Sequence, residues 1–158
     1  MISNSITDGI NGYAYIPGDK SISHRSIIIP SISNGVSEIN NILKSEDVLH
    51  TLNAFKAMGV RIEENDNKLI IFGNGLDSLK KPKNKIYLGN SGTSARLLTG
   101  LLSSQKFDTV LTGDKSLSNR PMKRISDPLN KMNARISSSN GMLPLIIEGS
   151  ELKSTKID

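Results

Sequence analysis

The chain has no cysteine and no tryptophan among its 158 residues, and only 4% of them are aromatic. The absence of cysteine excludes disulfide bonds, thiolate metal sites and a cysteine nucleophile. With so few aromatic side chains, the core is expected to consist of Ile, Leu, Val and Met. No apolar run approaches the roughly 18 residues of a membrane-spanning helix, and residues 1–11 lack the pattern of a signal peptide.

Positive charge exceeds negative charge, which gives a formal net charge of +5. Such a balance admits nucleic acid, an anionic membrane or small anions as partners. No long run of Lys or Arg indicates a basic tail, and the tyrosines lie apart in sequence from most of the cations. We therefore expect small anionic partners, with neither nucleic acid nor a membrane among them; a nucleic-acid-binding module stays as an alternative class.

Apolar spacing and capping residues predict alternating helices and short strands, the pattern of an α+β protein. The strongest helix covers residues 45–58, where Ser45 precedes two acidic residues and Gly59 supplies the stop. Further helices are predicted at 23–33, 93–104 and 120–132, the last with Pro128 as the source of a kink. Strands are predicted at 13–16, 36–40, 85–88 and 109–112, and hairpins pair 60–63 with 68–72 and 134–138 with 145–148.

An internal repeat connects the two predicted hairpins. The segment KAMGVRI at 56–62 matches NKMNARI at 130–136, which lies 74 residues later, and LIIFG at 69–73 matches LIIEG at 145–149. Two amphipathic helices could agree in this way by coincidence. The shared order of helix and hairpin instead favours a duplicated subdomain.

Three loops share one composition, because each precedes or opens a predicted helix, is rich in Gly, Ser or Asn, and has a cation nearby. They are PGDKSISHR at 17–25, LGNSGTSAR at 88–96 and GDKSLSNRP at 113–121. A helix N-terminus carries unpaired N–H groups and a partial positive charge, so it attracts anions.

The side chains in these loops suit anionic ligands. Gly92 lets the backbone approach a phosphate closely, and Lys20 is a compact charge that can also move a proton when its neighbours lower its pKa. Hydroxyl groups able to donate to anionic oxygens are those of Ser21, Ser23 and Thr93. Guanidinium groups able to bind a carboxylate or phosphate through two bonds are those of Arg25, Arg96 and Arg120.

Taken singly, each loop is more often a plain turn with a solvated arginine than a binding site. None matches the Walker phosphate loop or the dinucleotide glycine fingerprint. Together they indicate a site for small, multiply charged anions. His24 is expected beside that site, His50 on a helix surface or in packing, and Asp47 as a helix cap or an orienting group, while no residue cluster has metal-ligand spacing.

The three loops resemble, in order and spacing, the conserved segments of one enzyme family. PGDKSISHR is similar to the N-terminal signature of the 3-phosphoshikimate 1-carboxyvinyltransferases (EPSP synthases). LGNSGTSARLL resembles their phosphoenolpyruvate loop, and GDKSLSNRPMKR resembles their third conserved segment. The resemblance runs from Tyr13 to about Gly149 and is closer to bacterial members.

The resemblance implies an enzyme of two domains, each made of three βαβαββ units, with the substrates between them; this chain would hold about two units of one domain. It implies transfer of the enolpyruvyl group of phosphoenolpyruvate to the 5-hydroxyl of shikimate 3-phosphate, through a tetrahedral intermediate and with release of phosphate. It also implies a cytoplasmic, monomeric enzyme of the shikimate pathway, which leads to chorismate and the aromatic amino acids, without a metal or organic cofactor.

The resemblance also implies roles for single residues. Lys20 matches a lysine that contacts phosphoenolpyruvate and takes part in catalysis by proton transfer. The residues that match the shikimate 3-phosphate site are Lys20, Ser21 and Arg25. The residues that match the phosphoenolpyruvate site are Lys20, Asn90, Gly92, Thr93, Arg96 and Arg120.

Family members are more than twice as long as this chain. The resemblance assigns residues 1–16 to a strand of the other domain and 17–158 to part of the substrate-binding domain. It places the acid/base carboxylates outside this chain, so we expect a fragment or a half that must be complemented, with little or no activity alone. Gly92 stands where glyphosate-tolerant relatives carry alanine, which implies a glyphosate-sensitive completed enzyme.

Two further alternatives remain. The related enolpyruvyl transferase of cell-wall synthesis, which acts on UDP-N-acetylglucosamine, shares the fold and the donor, but it usually has a loop cysteine and lacks the Lys-Ser-x-Ser-x-Arg pattern seen at 20–25. A non-catalytic anion-binding fragment would bind shikimate 3-phosphate without turnover, so a titration beside a turnover assay separates it from an enzyme.

Overall fold

Helices alternate with short strands throughout the computed structural model, which describes residues 11–65 and 68–156. The helices are α1 (Lys20–Ile32), α2 (Glu46–Ala57), α3 (Gly92–Ser103), α4 (Lys115–Ser118) and α5 (Lys123–Lys131), and a 3-10 turn covers Leu76–Ser78. The strands are β1 (Asn34–Asn40), β2 (Arg61–Asn65), β3 (Lys68–Asn74), β4 (Ile86–Tyr87), β5 (Thr109–Thr112), β6 (Arg135–Ser139) and β7 (Met142–Glu148). The predicted α+β class is confirmed.

The strands form two sheets with one pattern of connection. The first has the order β1-β3-β2 and is antiparallel, whereas the second has the order β4-β5-β7-β6, in which β4 and β5 are parallel and the other pairs are antiparallel. Alternate residues of the central strands point into the core, as Leu69 and Ile71 do in β3 and Leu145 and Ile147 do in β7. The core is mainly aliphatic, as the composition predicts, with Phe55 buried among the aliphatic side chains.

The sequence repeat is a repeat of structure. α2 leads into the β2–β3 hairpin just as α5 leads into the β6–β7 hairpin. A residue in the left-handed region follows each helix, Gly59 with φ of 87° and Asn133 with φ of 71°. Glycine adopts this conformation freely and asparagine tolerates it, so both residues end a helix and turn the chain into the next strand.

The second hairpin differs from the first by an insertion of two residues in its second strand. Glu64 pairs with Leu69 in the first hairpin, and Ser138 pairs with Leu145 at the corresponding place in the second. The register of β6 against β7 shifts between Ser138 and Ser139, so that β7 accommodates extra residues at 143–144. This explains why the matched segments lie 74 residues apart before the hairpin turn and 76 after it.

The two sheets differ by one strand. In the second sheet β5 lies between β4 and β7, whereas in the first sheet the corresponding strand β1 pairs only with β3 among the described residues 11–65 and 68–156. Residues 13–16, predicted as a strand, have no regular secondary structure there, so that prediction is wrong for this structure. Tyr15 is 84% exposed, and its hydroxyl donates to the side-chain oxygen of Asn41 at 2.7 Å. The assignment of residues 1–16 to another domain stays a prediction, and residues 1–10 lie outside the described residues.

The helix predicted at 120–132 is wrong at its start, because α5 begins at Lys123. Arg120 lies in the connection between α4 and α5. The sequence pattern missed α4, a four-residue helix in which Asp114 Oδ1 accepts a hydrogen bond from the N–H of Leu117 at 2.7 Å. Pro128 lies inside α5, which nevertheless continues to Lys131.

Candidate anion-binding site

The first turns of α1 and α2 lie side by side. Asp19 caps α1, its carboxylate accepting a backbone N–H bond at 2.8 Å. Lys20 Nζ donates to Asp47 Oδ2 at 3.0 Å, and one turn further along each helix His24 Nδ1 lies 2.8 Å from Thr51 Oγ1. Because residues four apart on α1 meet residues four apart on α2 in the same order, the helices run in one direction and their N-termini point the same way.

The N-terminus of α3 gathers two guanidinium groups. Arg96 Nη1 donates to the carbonyl oxygen of Gly92 at 3.3 Å, and Arg120 Nη2 donates to the side-chain oxygen of Asn90. A Cβ built on Gly92 would lie 2.9 Å from Arg96 Nη1 and 3.0 Å from Arg120 Nη1. Glycine therefore leaves room for two cations at the N-terminal end of α3, where the partial positive charge of the helix adds to theirs, an arrangement suited to binding a phosphate or carboxylate.

The second and third predicted loops are joined to each other by backbone hydrogen bonds. The parallel strands β4 and β5 end at the same edge of the sheet, where the N–H of Leu88 donates to the carbonyl of Thr112 at 2.9 Å. Just beyond, the N–H of Asp114 donates to the carbonyl of Gly89 at 2.8 Å. These bonds fix the 113–121 loop, which carries Arg120, against the 88–92 loop.

A chain of buried polar groups connects these two loops to the first two helices. Thr51 Oγ1 of α2 and Ser94 Oγ of α3 are 2.6 Å apart, and Ser94 Oγ is 3.4 Å from His24 Nδ1 of α1. On its other side Ser94 Oγ lies 2.6 Å from Ser91 Oγ, the cap of α3, which accepts the N–H of Ser94 at 3.2 Å. The N-terminal ends of α1, α2 and α3 thus meet through side-chain bonds.

His24 is held neutral by its surroundings. Burial lowers the pKa of its imidazole below the ordinary value; the carboxylate of Asp47 opposes this shift, and the charges of Lys20 and Arg25 add to it. The Nε2 atom is buried and has no hydrogen-bond partner. A second proton on the ring would place another positive charge beside Lys20 and would leave the N–H at Nε2 without an acceptor.

The predicted residues fall into two groups. The α1 group is Lys20, Ser21 and Arg25, in which Arg25 Nη1 donates to the carbonyl of Ser21 at 3.1 Å and all three are exposed. The α3 group is Asn90, Gly92, Thr93, Arg96 and Arg120. Within the described part of the chain no hydrogen bond joins a side chain of one group directly to a side chain of the other, and the link runs through the buried chain instead.

His50 was expected on a helix surface or in packing, and the structure shows the packing role. His50 packs against the glycine turn: a Cβ built on Gly89, whose φ is 54°, would collide with the imidazole, which also meets Tyr87 edge-on at 5.3 Å between ring centroids. Sequence reasoning missed Thr51 and Ser94, since a single hydroxyl inside a helix has no sequence pattern. The glycine at 89, preceding the more obvious Gly92, was the available signal for a close approach.

The described residues contain no cluster of three His, Cys, Asp or Glu side chains that could hold a metal ion. Within the same residues, no helix is long and apolar enough to cross a membrane.

Comparison with known proteins shows the family of the chain. The sequence profile of the family "EPSP synthase (3-phosphoshikimate 1-carboxyvinyltransferase)" matches residues 5–158. A 3-phosphoshikimate 1-carboxyvinyltransferase of Ruthia magnifica is 54% identical over 145 residues, covering 92% of this chain and 33% of that protein. Another, of Citrifermentans bemidjiense, is 51% identical over 151 residues, covering 94% of this chain and 35% of that protein.

A solved structure supports the same relationship. The EPSP synthase of Acinetobacter baumannii superposes with a TM-score of 0.87 at 49% identity, over 91% of this chain and 33% of that one. The chain thus spans about a third of the length of the relatives it matches. By its sequence and its fold, the chain belongs to the EPSP synthase (3-phosphoshikimate 1-carboxyvinyltransferase) family.

Proposed function

We propose that this chain supplies one side of the active site of an enolpyruvyl transferase. The reaction joins phosphoenolpyruvate to the 5-hydroxyl of shikimate 3-phosphate and releases phosphate, as the names of the relatives imply. Because the chain spans about a third of those relatives, we propose that turnover requires the remaining part and that this chain alone binds substrate without converting it.

The observation that carries the proposal is the meeting of Arg96 and Arg120 at Gly92. Both substrates bear a phosphate and a carboxylate, and guanidinium groups bind these through paired hydrogen bonds. The helix end between the two arginines adds the backbone N–H of Thr93 and the partial positive charge of the helix. We assign this end of α3, with Asn90, to phosphoenolpyruvate.

The α1 group is assigned to the other substrate. Ser21 and Arg25 would bind the shikimate moiety through hydroxyl and guanidinium donors. Lys20 would lie between the two substrates, contact both and move a proton at the reacting carbon. In this structure the Lys20 ammonium donates to Asp47 Oδ2 at 3.0 Å, so a bound substrate would compete with that carboxylate for Lys20.

Titration of the chain with phosphoenolpyruvate by calorimetry tests the proposal. Arg120→Gln removes a charged donor, and because such a bond contributes ~1.5–3 kcal/mol, we expect affinity to fall about tenfold or more. Arg124→Gln removes the same charge from an exposed position on α5 and is the control. Equal losses in the two variants would show that phosphoenolpyruvate responds only to net charge, and would overturn the site.

A turnover assay separates binding from catalysis. Phosphoenolpyruvate and shikimate 3-phosphate are incubated with the chain, and released phosphate is measured. We expect no release above background, because the resemblance places the acid/base carboxylates outside these residues. Full turnover by the chain alone would contradict the division of the active site proposed here. We further propose a cytoplasmic enzyme that is a monomer when complete and needs no cofactor.

A further inference from the structure

The buried chain of Thr51, Ser94 and Ser91 lies directly beneath the anion-binding end of α3. All three side chains are almost fully buried, so none of them can touch a ligand bound at Gly92. Yet the chain ends on Ser91, whose hydroxyl caps the helix at the residue before Gly92. The position of the Ser91 hydroxyl therefore depends on the buried side chain of Ser94, which is bonded in turn to Thr51.

We propose that Thr51 and Ser94 are positioning residues, which act through Ser91 to hold the Asn90–Gly92 turn against α1 and α2 in the conformation that binds an anion. This inference rests on the proposed anion site at Gly92. It assigns to two buried hydroxyls a role in affinity that is separate from their part in packing.

The bonds to Thr51 and to Ser91 share the single hydroxyl group of Ser94. Ser94 Oγ lies 2.6 Å from the hydroxyl oxygens of both Thr51 and Ser91. A hydroxyl has one proton and two acceptor lone pairs, so Ser94 donates to at most one of these neighbours, and the loss of either partner changes which bonds remain open to Ser94. In a dry interior an unsatisfied polar group is costly, so the turn would shift to recover a bond.

Two other hydroxyls of α3 make no hydrogen bond to another helix or to the turn. Thr99 Oγ1 donates to the carbonyl of Ala95 at 2.6 Å, and Ser103 Oγ donates to the carbonyl of Thr99 at 2.7 Å. Both are as buried as Thr51 and Ser94, but their bonds stay within one helix. A substitution at Thr99 or Ser103 therefore removes a buried hydroxyl without disturbing the hydrogen bonds that lead to the Asn90–Gly92 turn.

The test compares Thr51→Val with Thr99→Val and Ser94→Ala with Ser103→Ala. Each pair removes the same hydroxyl from an equally buried site, and urea unfolding records the stability of every variant. We expect inorganic phosphate to bind five- to tenfold more weakly to Thr51→Val and Ser94→Ala than to their controls. Affinities that agree within twofold between variant and control would overturn the proposal.

Hydrogen exchange gives a second measurement that needs no ligand. The amides of Ser91 and Gly92 donate to the carbonyls of Leu88 and Asn90 at 3.0 Å each. We expect them to exchange at least fivefold faster in Thr51→Val, although the substitution is on another helix, and to be unchanged in Thr99→Val. Unchanged exchange of these amides in both variants would contradict the proposal.

The two measurements also separate this proposal from the one on which it rests. If the unmodified chain binds no phosphate, the anion site fails, and exchange alone then decides whether Thr51 holds the turn. If Arg120→Gln weakens binding while Thr51→Val matches its control, the site stands and the positioning role is wrong.

Discussion

Lys20 and Asp47 form an ion pair between the first turns of α1 and α2, with 3.0 Å between Nζ and Oδ2. The lysine side chain is 52% exposed and the carboxylate 24%. An ion pair at such a position contributes at most about 1 kcal/mol to stability. If Lys20 binds substrate as proposed, the pair matters more for function, because the carboxylate occupies the ammonium group that an anionic substrate would use.

Asp47→Asn is expected to strengthen phosphate binding two- to fivefold, since it removes an anion that competes for Lys20 and keeps a side chain of the same size. Glu46→Gln makes the same charge change in the same turn, at an exposed residue, and is the control. Calorimetry at constant ionic strength measures both. Weaker binding to Asp47→Asn would mean that the carboxylate orients Lys20 toward the ligand.

Gly92→Ala is expected to weaken phosphate binding about tenfold without loss of stability. Its methyl group would meet Arg96 and Arg120 at about 3 Å, and the flexible ends of both side chains would move away from the helix end. Gly100→Ala is the control, because a Cβ built there has no neighbour within 4 Å. Alanine favours a helix by up to ~1 kcal/mol, so Gly100→Ala should stabilise the chain and leave affinity unchanged.

The stability of the chain is expected to fall in mild acid because of His24. Burial lowers its pKa in the folded protein, whereas in the unfolded chain it titrates near 6.5. Below about pH 6.5 the unfolded state therefore binds more protons than the folded state, and the free energy of unfolding decreases as pH falls. Urea unfolding between pH 7.5 and 5.5 measures the slope, which His24→Asn should flatten; an unchanged slope in that variant would contradict the assignment to His24.

The helix caps are expected to differ in value. Asp19 accepts a backbone N–H bond at the start of α1, so Asp19→Ala should cost about 1 kcal/mol of stability. Ser45 occupies the same position in α2, but its hydroxyl makes no cap bond and is buried without a partner. Ser45→Ala should therefore be neutral or slightly stabilising, and an equal loss in the two variants would contradict this distinction.

Much of the fold could be predicted because local signals agree with it. The apolar face and the glycine stop of the 45–58 segment give α2 within one residue at each end, and alternation gives the positions of both hairpins. The repeat was visible because the hairpin residues face the same kind of core. The exact register of the second hairpin could not be predicted, because the apolar alternation of β7 continues unbroken through the two inserted residues.

The misses have physical causes. Residues 13–16 have the composition of a strand, but strand formation needs a partner, and within the described residues they have none. Arg120 was expected in a helix because Pro121 suits a first helical turn, whereas Asp114 starts the earlier helix α4 and shifts α5 to Lys123. In the site, cations and glycines could be found from the sequence, but the hydroxyls that connect the helices could not, since contacts between distant helices leave no local pattern.

The tip of the second hairpin also bears on Arg120. The N–H of Met122 donates to the carbonyl of Gly141 at 2.8 Å, two residues beyond the arginine. A change in the length of that tip would therefore move the backbone beside the guanidinium group. Loop grafting between relatives with hairpins of different length is expected to alter anion affinity at the proposed site through this backbone bond.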